Sequence, residues 1–345
     1  MPRLLPAVQR MAVAGFSVAT LVLTACSEST SSPNRAISPD DASRSQSPDL
    51  VDETGRHVFH TKQWFANDAL QNARPGGGGG GTNTGIYYHG GPVLLSGTKV
   101  AAVYWAAGRI FSGGPAVDTH GAGSADGSLV GYFLSHLGGS GYFNINSTYN
   151  DGAGHAIANV VNYTQYWANG TNAPSGTQSV SDAEMLAMLQ SGFASGNLTY
   201  DAGTLYAIFT SGSVNLGGGF GTQYCAYHYH GTVTVGGVSQ TVLYAAMPYN
   251  YAYPSACTDG AAPNGDPAAD AEVNTLAHEV EETTTDLLGN AWFDHRGYEN
   301  ADKCAWNFGT RSLSSGQANI TVGAKNFLVQ QNWLNTGSGG CAQSY

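Results

Sequence analysis

Five consecutive residues, His278-Glu279-Val280-Glu281-Glu282, put an imidazole and a carboxylate four positions apart. On a helix, positions i and i+4 lie one above the other, and histidine nitrogen and carboxylate oxygen both bind zinc, so one ion can bridge them. The pattern is the zincin motif with its second histidine replaced by glutamate, which makes Glu279 the candidate catalytic base. Zinc is therefore the expected cofactor, with His278 and Glu282 as ligands. A third ligand must come from elsewhere. Glu299 lies 17 residues beyond Glu282, a separation like that at which some zincins supply a glutamate, and Asp302 is placed to replace or support it. His228 is the other alternative, sharing one face with His230 if that segment is a strand. Asp286, Asp294 and His295 complete the polar stretch around Trp292-Phe293. A helical wheel sets a competing reading beside this one: with Val273 at zero, His278 and Glu282 fall about 140° and 180° away from the apolar stripe, as on a solvated acidic face.

The elements that must position these residues follow from pattern. Short apolar runs at 99–105, 157–163 and 204–209 predict strands, and the spacing at 128–137 and 181–193 predicts helices. Ser181 and Glu184 have capping-box form. Two further strands, 232–235 and 240–244, are joined by Gly236-Gly237. The His278 helix runs over 267–288, capped by Asp266 with Pro267 at its first turn and ended by Gly289. Residues 318–334 read as two closing strands. Alternation of strand and helix predicts an α/β fold: one domain, a mixed sheet flanked by helices, and a zincin-like active-site helix.

Composition narrows the function classes. Of 345 residues only 11% are charged, 47 are glycine, and the net charge is −11. An acidic chain has no electrostatic footprint for a phosphate backbone, so nucleic-acid binding is excluded as an expectation. Residues 1–25 read as an export signal whose apolar run ends in Leu23-Thr24-Ala25-Cys26, like a bacterial lipobox, so Cys26 is the expected lipidation site and a membrane anchor. Residues 26–84, rich in Ser, Pro and Gly, read as a disordered tether. Within it 57–65 is more apolar and could dock on the body or a partner; its pair His57 and His60, at i and i+3, could bind metal, although mobile leaders often carry such pairs by accident. The domain then spans 85–345. Export leaves Cys225, Cys257, Cys304 and Cys341 for two disulfides. Three connectivities are possible, and the shorter loops favour Cys225 with Cys257 and Cys304 with Cys341. No Gly-x-Ser-x-Gly elbow or phosphate-binding loop is present. Tyr244, Tyr249, Tyr251 and Tyr253 with Trp292 could stack on sugars, although packing is their commoner use.

From residue 86 onward the chain resembles the phosphate-induced protein family, also called EXORDIUM-like, whose best-known members are secreted plant cell-wall proteins linked to growth. Tyr88-His89-Gly-Gly-Pro-Val93, Tyr224-Cys225-Ala-Tyr-His228, Ala262-Pro-Asn-Gly-Asp266, Leu276-Ala-His278-Glu279 with Glu282, Asn290-Ala-Trp292, Glu299-Asn-Ala-Asp302-Lys-Cys304 and Phe327-Leu-Val-Gln330 with Trp333 and Cys341 carry the likeness. The resemblance implies an extracellular role and assigns no reaction. It matches Glu299, Asp302 and Cys304, and it lowers Asp286 as a ligand, because plant members have asparagine there. Extra cysteines of the plant proteins near Cys225 and Cys257 are missing. Two functions follow as expectations: an exported zinc peptidase, or a noncatalytic surface protein that binds a peptide or wall polymer with a structural metal or none.

Overall fold

Val100, Ala102 and Tyr104 alternate with Ala101, Val103 and Trp105, and both sets are buried, which is what a strand covered on two faces requires. The computed structural model describes residues 56–72, 85–212, 214–217 and 219–345. The export signal, Cys26 and the rest of the tether lie outside them. In chain order the elements that matter here are β1 (His57–His60), α1 (Lys62–Asn72), β2 (Tyr87–Tyr88), β3 (Thr98–Trp105), β4 (Thr119–Ala122), α2 (Leu129–Leu137), β5 (Val161–Asn169), α3 (Asp182–Ser195), β6 (Thr204–Thr210), β7 (Tyr224–Val235), β8 (Val238–Met247), α4 (Pro254–Cys257), α5 (Pro267–Thr285), β9 (Trp292–Phe293), β10 (Ile320–Val322), β11 (Lys325–Phe327), β12 (Asn332–Leu334) and β13 (Gly340–Ala342).

Seven strands make one sheet in the order β1-β7-β8-β6-β3-β5-β4. The four central strands run parallel, while β7, β1 and β4 join antiparallel at the two sides. This is the mixed α/β sheet the alternation predicts. Helices α2 and α5 cover one face, packing on Val100, Ala102, Tyr104, Leu205 and Ala245. Helix α3 covers the other through Met185, Met188 and Leu189. Its capping box is present, with the Glu184 amide donating to Ser181 and the Ser181 amide donating to Glu184. In the β7–β8 hairpin Gly236 and Gly237 both take positive φ, as that tight turn requires. Disulfides join Cys225 to Cys257 and Cys304 to Cys341.

Several expectations shift. Strand β5 begins four residues later than its apolar run, because Ile157 packs in a separate small cluster with Tyr149 and Trp292. Helix α5 stops at Thr285 rather than 288: the Asp286 carboxylate accepts from the amides of Asn290 and Ala291 and fixes a turn there. The tail forms two hairpins, β10–β11 and β12–β13, not two strands. Two corrections bear on function. Residues 57–60 and 62–72 fall inside the span read as a tether, yet they form an edge strand and a helix. The wheel's polar face of α5 is not solvated, since every residue from Ala268 to Thr285 is buried.

Candidate metal centre

His278 and Glu282 lie one turn apart on α5, and the geometry brings His278 Nε2 to 3.0 Å from Glu282 Oε1. Asp302 Oδ1 stands 3.5 Å from the same nitrogen. The segment after α5 returns against it, anchored by the Asp302 amide donating to Glu282 Oε1 and by the Cys304–Cys341 disulfide. Beside this trio sits a second. His228 shares the inward face of β7 with Ala226, two residues back, and its Nε2 lies 3.1 Å from Glu299 Oε2 and 3.6 Å from Glu282 Oε2. Ligand atoms within each trio, His278–Glu282–Asp302 and His228–Glu282–Glu299, lie within 4.8 Å of one another. Glu282 belongs to both.

All the residues named for the site, Glu279 included, are at most 5% exposed. Burying carboxylates and imidazoles is costly unless each finds a partner. Yet His278 Nε2, Asp302 Oδ1, Glu299 Oε1 and both carboxylate oxygens of Glu279 have no hydrogen-bond partner among the described residues. His278 and Glu282 approach to 3.0 Å without hydrogen-bond alignment, and His228 to Glu299 is the aligned pair. Nitrogens and oxygens that approach this closely while pointing past each other are disposed as ligands around a common centre. Four tetrahedral ligands at a zinc ion stand roughly 3.3 Å apart, the range seen here. Imidazole with carboxylate suits several divalent metals, zinc among them, and the residues present fit such an ion.

Charge follows the same geometry. Burial pushes the Glu279 carboxyl up to about 8, although His278 and His228 pull it down. Asp302 rises to about 6 through burial and the nearby Glu282 charge. Burial also works to raise Glu299, but the His57 and His228 imidazoles outweigh it and hold Glu299 at about 2. Against the burial that would lower it, His278 is raised well above the usual imidazole range by Glu282 and Asp302. Without a cation, protons on the imidazoles balance these carboxylates. His278 Nδ1 faces Gln330 Nε2 at 3.0 Å, and that amide also donates to the Ala301 carbonyl. In that arrangement Nδ1 accepts and the ring proton sits on Nε2, so ligation through Nε2 requires the proton to move to Nδ1 and the Gln330 amide to present its oxygen there.

The ligands proposed from sequence, His278, Glu282 and Glu299 with His228 and Asp302 as alternatives, are all brought together, with Glu279 beside them. The other candidates are placed elsewhere. His230 is half-buried beyond the cluster, and His295 is exposed. Asp294 accepts from two backbone amides and pairs with Lys303. Asp286 is the exception: its Oδ1 holds the turn, but its buried Oδ2 has no partner among the described residues. Burial with the Glu299 charge pushes its carboxyl up to about 7 against the pull of His57. Tyr244 is buried and donates to Asp182, while Tyr251 is exposed, so the tyrosines do not form one platform.

Three contributors were set aside or passed over in the sequence. His57 on β1 pairs across from His228, and its Nδ1 lies 3.0 Å from Glu299 Oε2. Phe59 stacks on the His278 ring, with centroids 4.1 Å apart, and Trp306 covers its other side. Gln330 orients His278 from the segment after β11. The β-branched and aromatic pair Val58-Phe59 was a strand signal, too short to stand out from the polar leader around it.

No curated protein and no solved structure gives a significant match to this chain. A family profile described as the phosphate-induced protein 1 conserved region matches residues 138–327, more than half of the chain and a span that includes β5 through β11 with His228, all of α5, Glu299 and Asp302. The chain therefore belongs to the phosphate-induced protein 1 family.

Proposed function

We propose that this is an exported metal-binding protein whose buried His278–Glu282–Asp302 trio holds a zinc ion in a water-excluded, noncatalytic centre. The observation that carries the reading is the set of buried, unpartnered nitrogen and oxygen atoms converging from α5 and the 299–302 segment. A bound zinc ion supplies Lewis acidity and neutralises charge. The chain's residues supply ligands, and Gln330 holds the His278 ring. Complete burial supports a water-excluded centre over turnover: the cavity nearest the cluster is lined by His57, His228 and His230, and neither His278 nor Glu279 borders it. Three protein ligands are also the number that catalytic zinc sites use, so what favours the noncatalytic reading is burial, and a nearest cavity that does not reach His278 and Glu279, rather than the ligand count. The two disulfides accord with an oxidising compartment outside the cytosol. Export through the leader, anchoring through a lipid on Cys26, and a peptide or wall polymer as ligand complete the proposal.

A peptidase is the second reading, and one observation favours it. Glu279 sits beside His278 with both oxygens unpartnered and its carboxyl pushed up to about 8, which suits a group that exchanges protons near neutrality. The deciding experiment measures zinc and peptide hydrolysis together in wild type, His278→Ala and Glu279→Gln. The noncatalytic reading expects zinc in wild type, its loss in His278→Ala, and no hydrolysis by any of the three. Hydrolysis by wild type that Glu279→Gln abolishes while keeping zinc would replace it with the peptidase. No zinc in wild type, even after loading, would remove both.

A further inference from the structure

We propose that the centre holds two cations, bridged by Glu282, and that the second is bound by His228, Glu299 and His57, the last delivered by the N-terminal edge strand. This rests on the metal reading above and extends it to a second site.

Glu282 is the pivot. Its Oε1 faces His278 and its Oε2 faces His228, so one carboxylate presents an oxygen to each trio. A bridging carboxylate holds paired metal ions about 3.5–4 Å apart. On the second side, His57 Nδ1 and His228 Nε2 approach the same oxygen, Glu299 Oε2, at 3.0 and 3.1 Å. Only the His228 contact is a hydrogen bond. His57 Nδ1 and Glu299 Oε1 have no partner among the described residues, although His57 is 5% exposed and Glu299 0%. His228, Glu282 and Glu299 present ligand atoms within 4.8 Å of one another, and His57 reaches this group through its 3.0 Å approach to Glu299 Oε2.

Backbone placement supports the same assignment. His57 and His228 are directly paired across the β1–β7 ladder, which fixes their rings on one face, with centroids 6.1 Å apart. Gly289 leaves room for the His57 ring: a Cβ there would stand 3.0 Å from His57 Nε2. A cavity of about 180 Å³ is lined by His57 and His228 and gives an ion a route to the second site. A metal site needs such a path. The consequence is structural: the second cation ties strand β1 to the body of the protein.

The test is zinc stoichiometry on the metal-stripped full chain, titrated with zinc alone. Wild type is expected to bind two equivalents, His57→Gln and His228→Gln one each, and His278→Ala to retain the second-site equivalent. Labelling with ¹⁵N-histidine keeps the test independent of variant folding. At saturation three imidazoles of wild type should show metal-bound nitrogen resonances. A single equivalent lost in His278→Ala but kept in His228→Gln would overturn the second site and leave the first. Two equivalents unaffected by His57→Gln and His228→Gln, or only one metal-bound imidazole, would also overturn it. No bound zinc at all would overturn both readings.

Discussion

Gln330 and Glu272 show how single side chains set the properties of α5. Gln330 touches His278 Nδ1 and the Ala301 carbonyl, so it ties the ligand ring to the segment that carries Asp302. Groups that orient metal-bound histidines commonly matter 10–100-fold in affinity. Gln330→Ala should weaken zinc binding by about that factor without changing the number of ions, as competition with a chelator would measure. Unchanged affinity would show that Gln330 only packs. Glu272 lies two turns before the cluster, where burial pushes its carboxyl up from 4.5 to about 8. Because the folded chain holds a proton that the unfolded chain releases, this contribution is full below about pH 4.5 and is lost as pH rises toward 8. Glu272→Gln should therefore be the more stable protein by roughly 2–3 kcal/mol at pH 7 and equal to wild type near pH 4, checked by denaturant unfolding across pH. A constant difference between the two proteins at all pH values would contradict this.

Strand β1 is the element that joins the N-terminal segment to the centre. Its Val58 faces the α3 side of the sheet, while Phe59 is fully buried against His278 and Trp306. Phe59→Ala should cost about 3–5 kcal/mol in unfolding experiments, as for other buried aromatics. In hydrogen exchange, zinc should slow the amides of residues 57–60. Exchange of those amides that is indifferent to zinc would mean that β1 is held by packing and its ladder alone. The same strand marks where sequence reading stops. Helix α5 was legible from Asp266, Pro267 and the His278–Glu282 spacing, and β3 and β6 from their apolar runs, because those signals are local. Strand β1 gains its burial from β7, more than 160 residues away, so its leader-like neighbours outweighed a four-residue run with two apolar residues. Burial of α5's acidic side was hidden for the same reason: a wheel shows which residues share a face, not that β1, β7 and the 299–304 segment cover it.

The described residues are built on a seven-stranded sheet covered on both faces, with the candidate chemistry at one side where β1, β7, α5 and the 299–304 segment meet. The Cys304–Cys341 bridge closes a loop of sequence separation 37 directly after Asp302. Replacing both cysteines by alanine should lower stability by about 3–4 kcal/mol on loop entropy. It should also weaken zinc binding, because the Asp302 segment loses its anchor. Lost stability with unaltered zinc affinity would show that the bridge serves the fold alone. The family match spans β7, α5 and the 299–304 segment and stops short of the bridge's second cysteine. The central claim is that three imidazoles and four carboxylates are buried together because a divalent cation replaces protons among them. Calorimetric titration of zinc into the metal-stripped full chain, in two buffers of different ionisation enthalpy at pH 7, tests it most directly. The account predicts submicromolar binding with net proton release. Binding no tighter than millimolar, or tight binding without proton release, would contradict it.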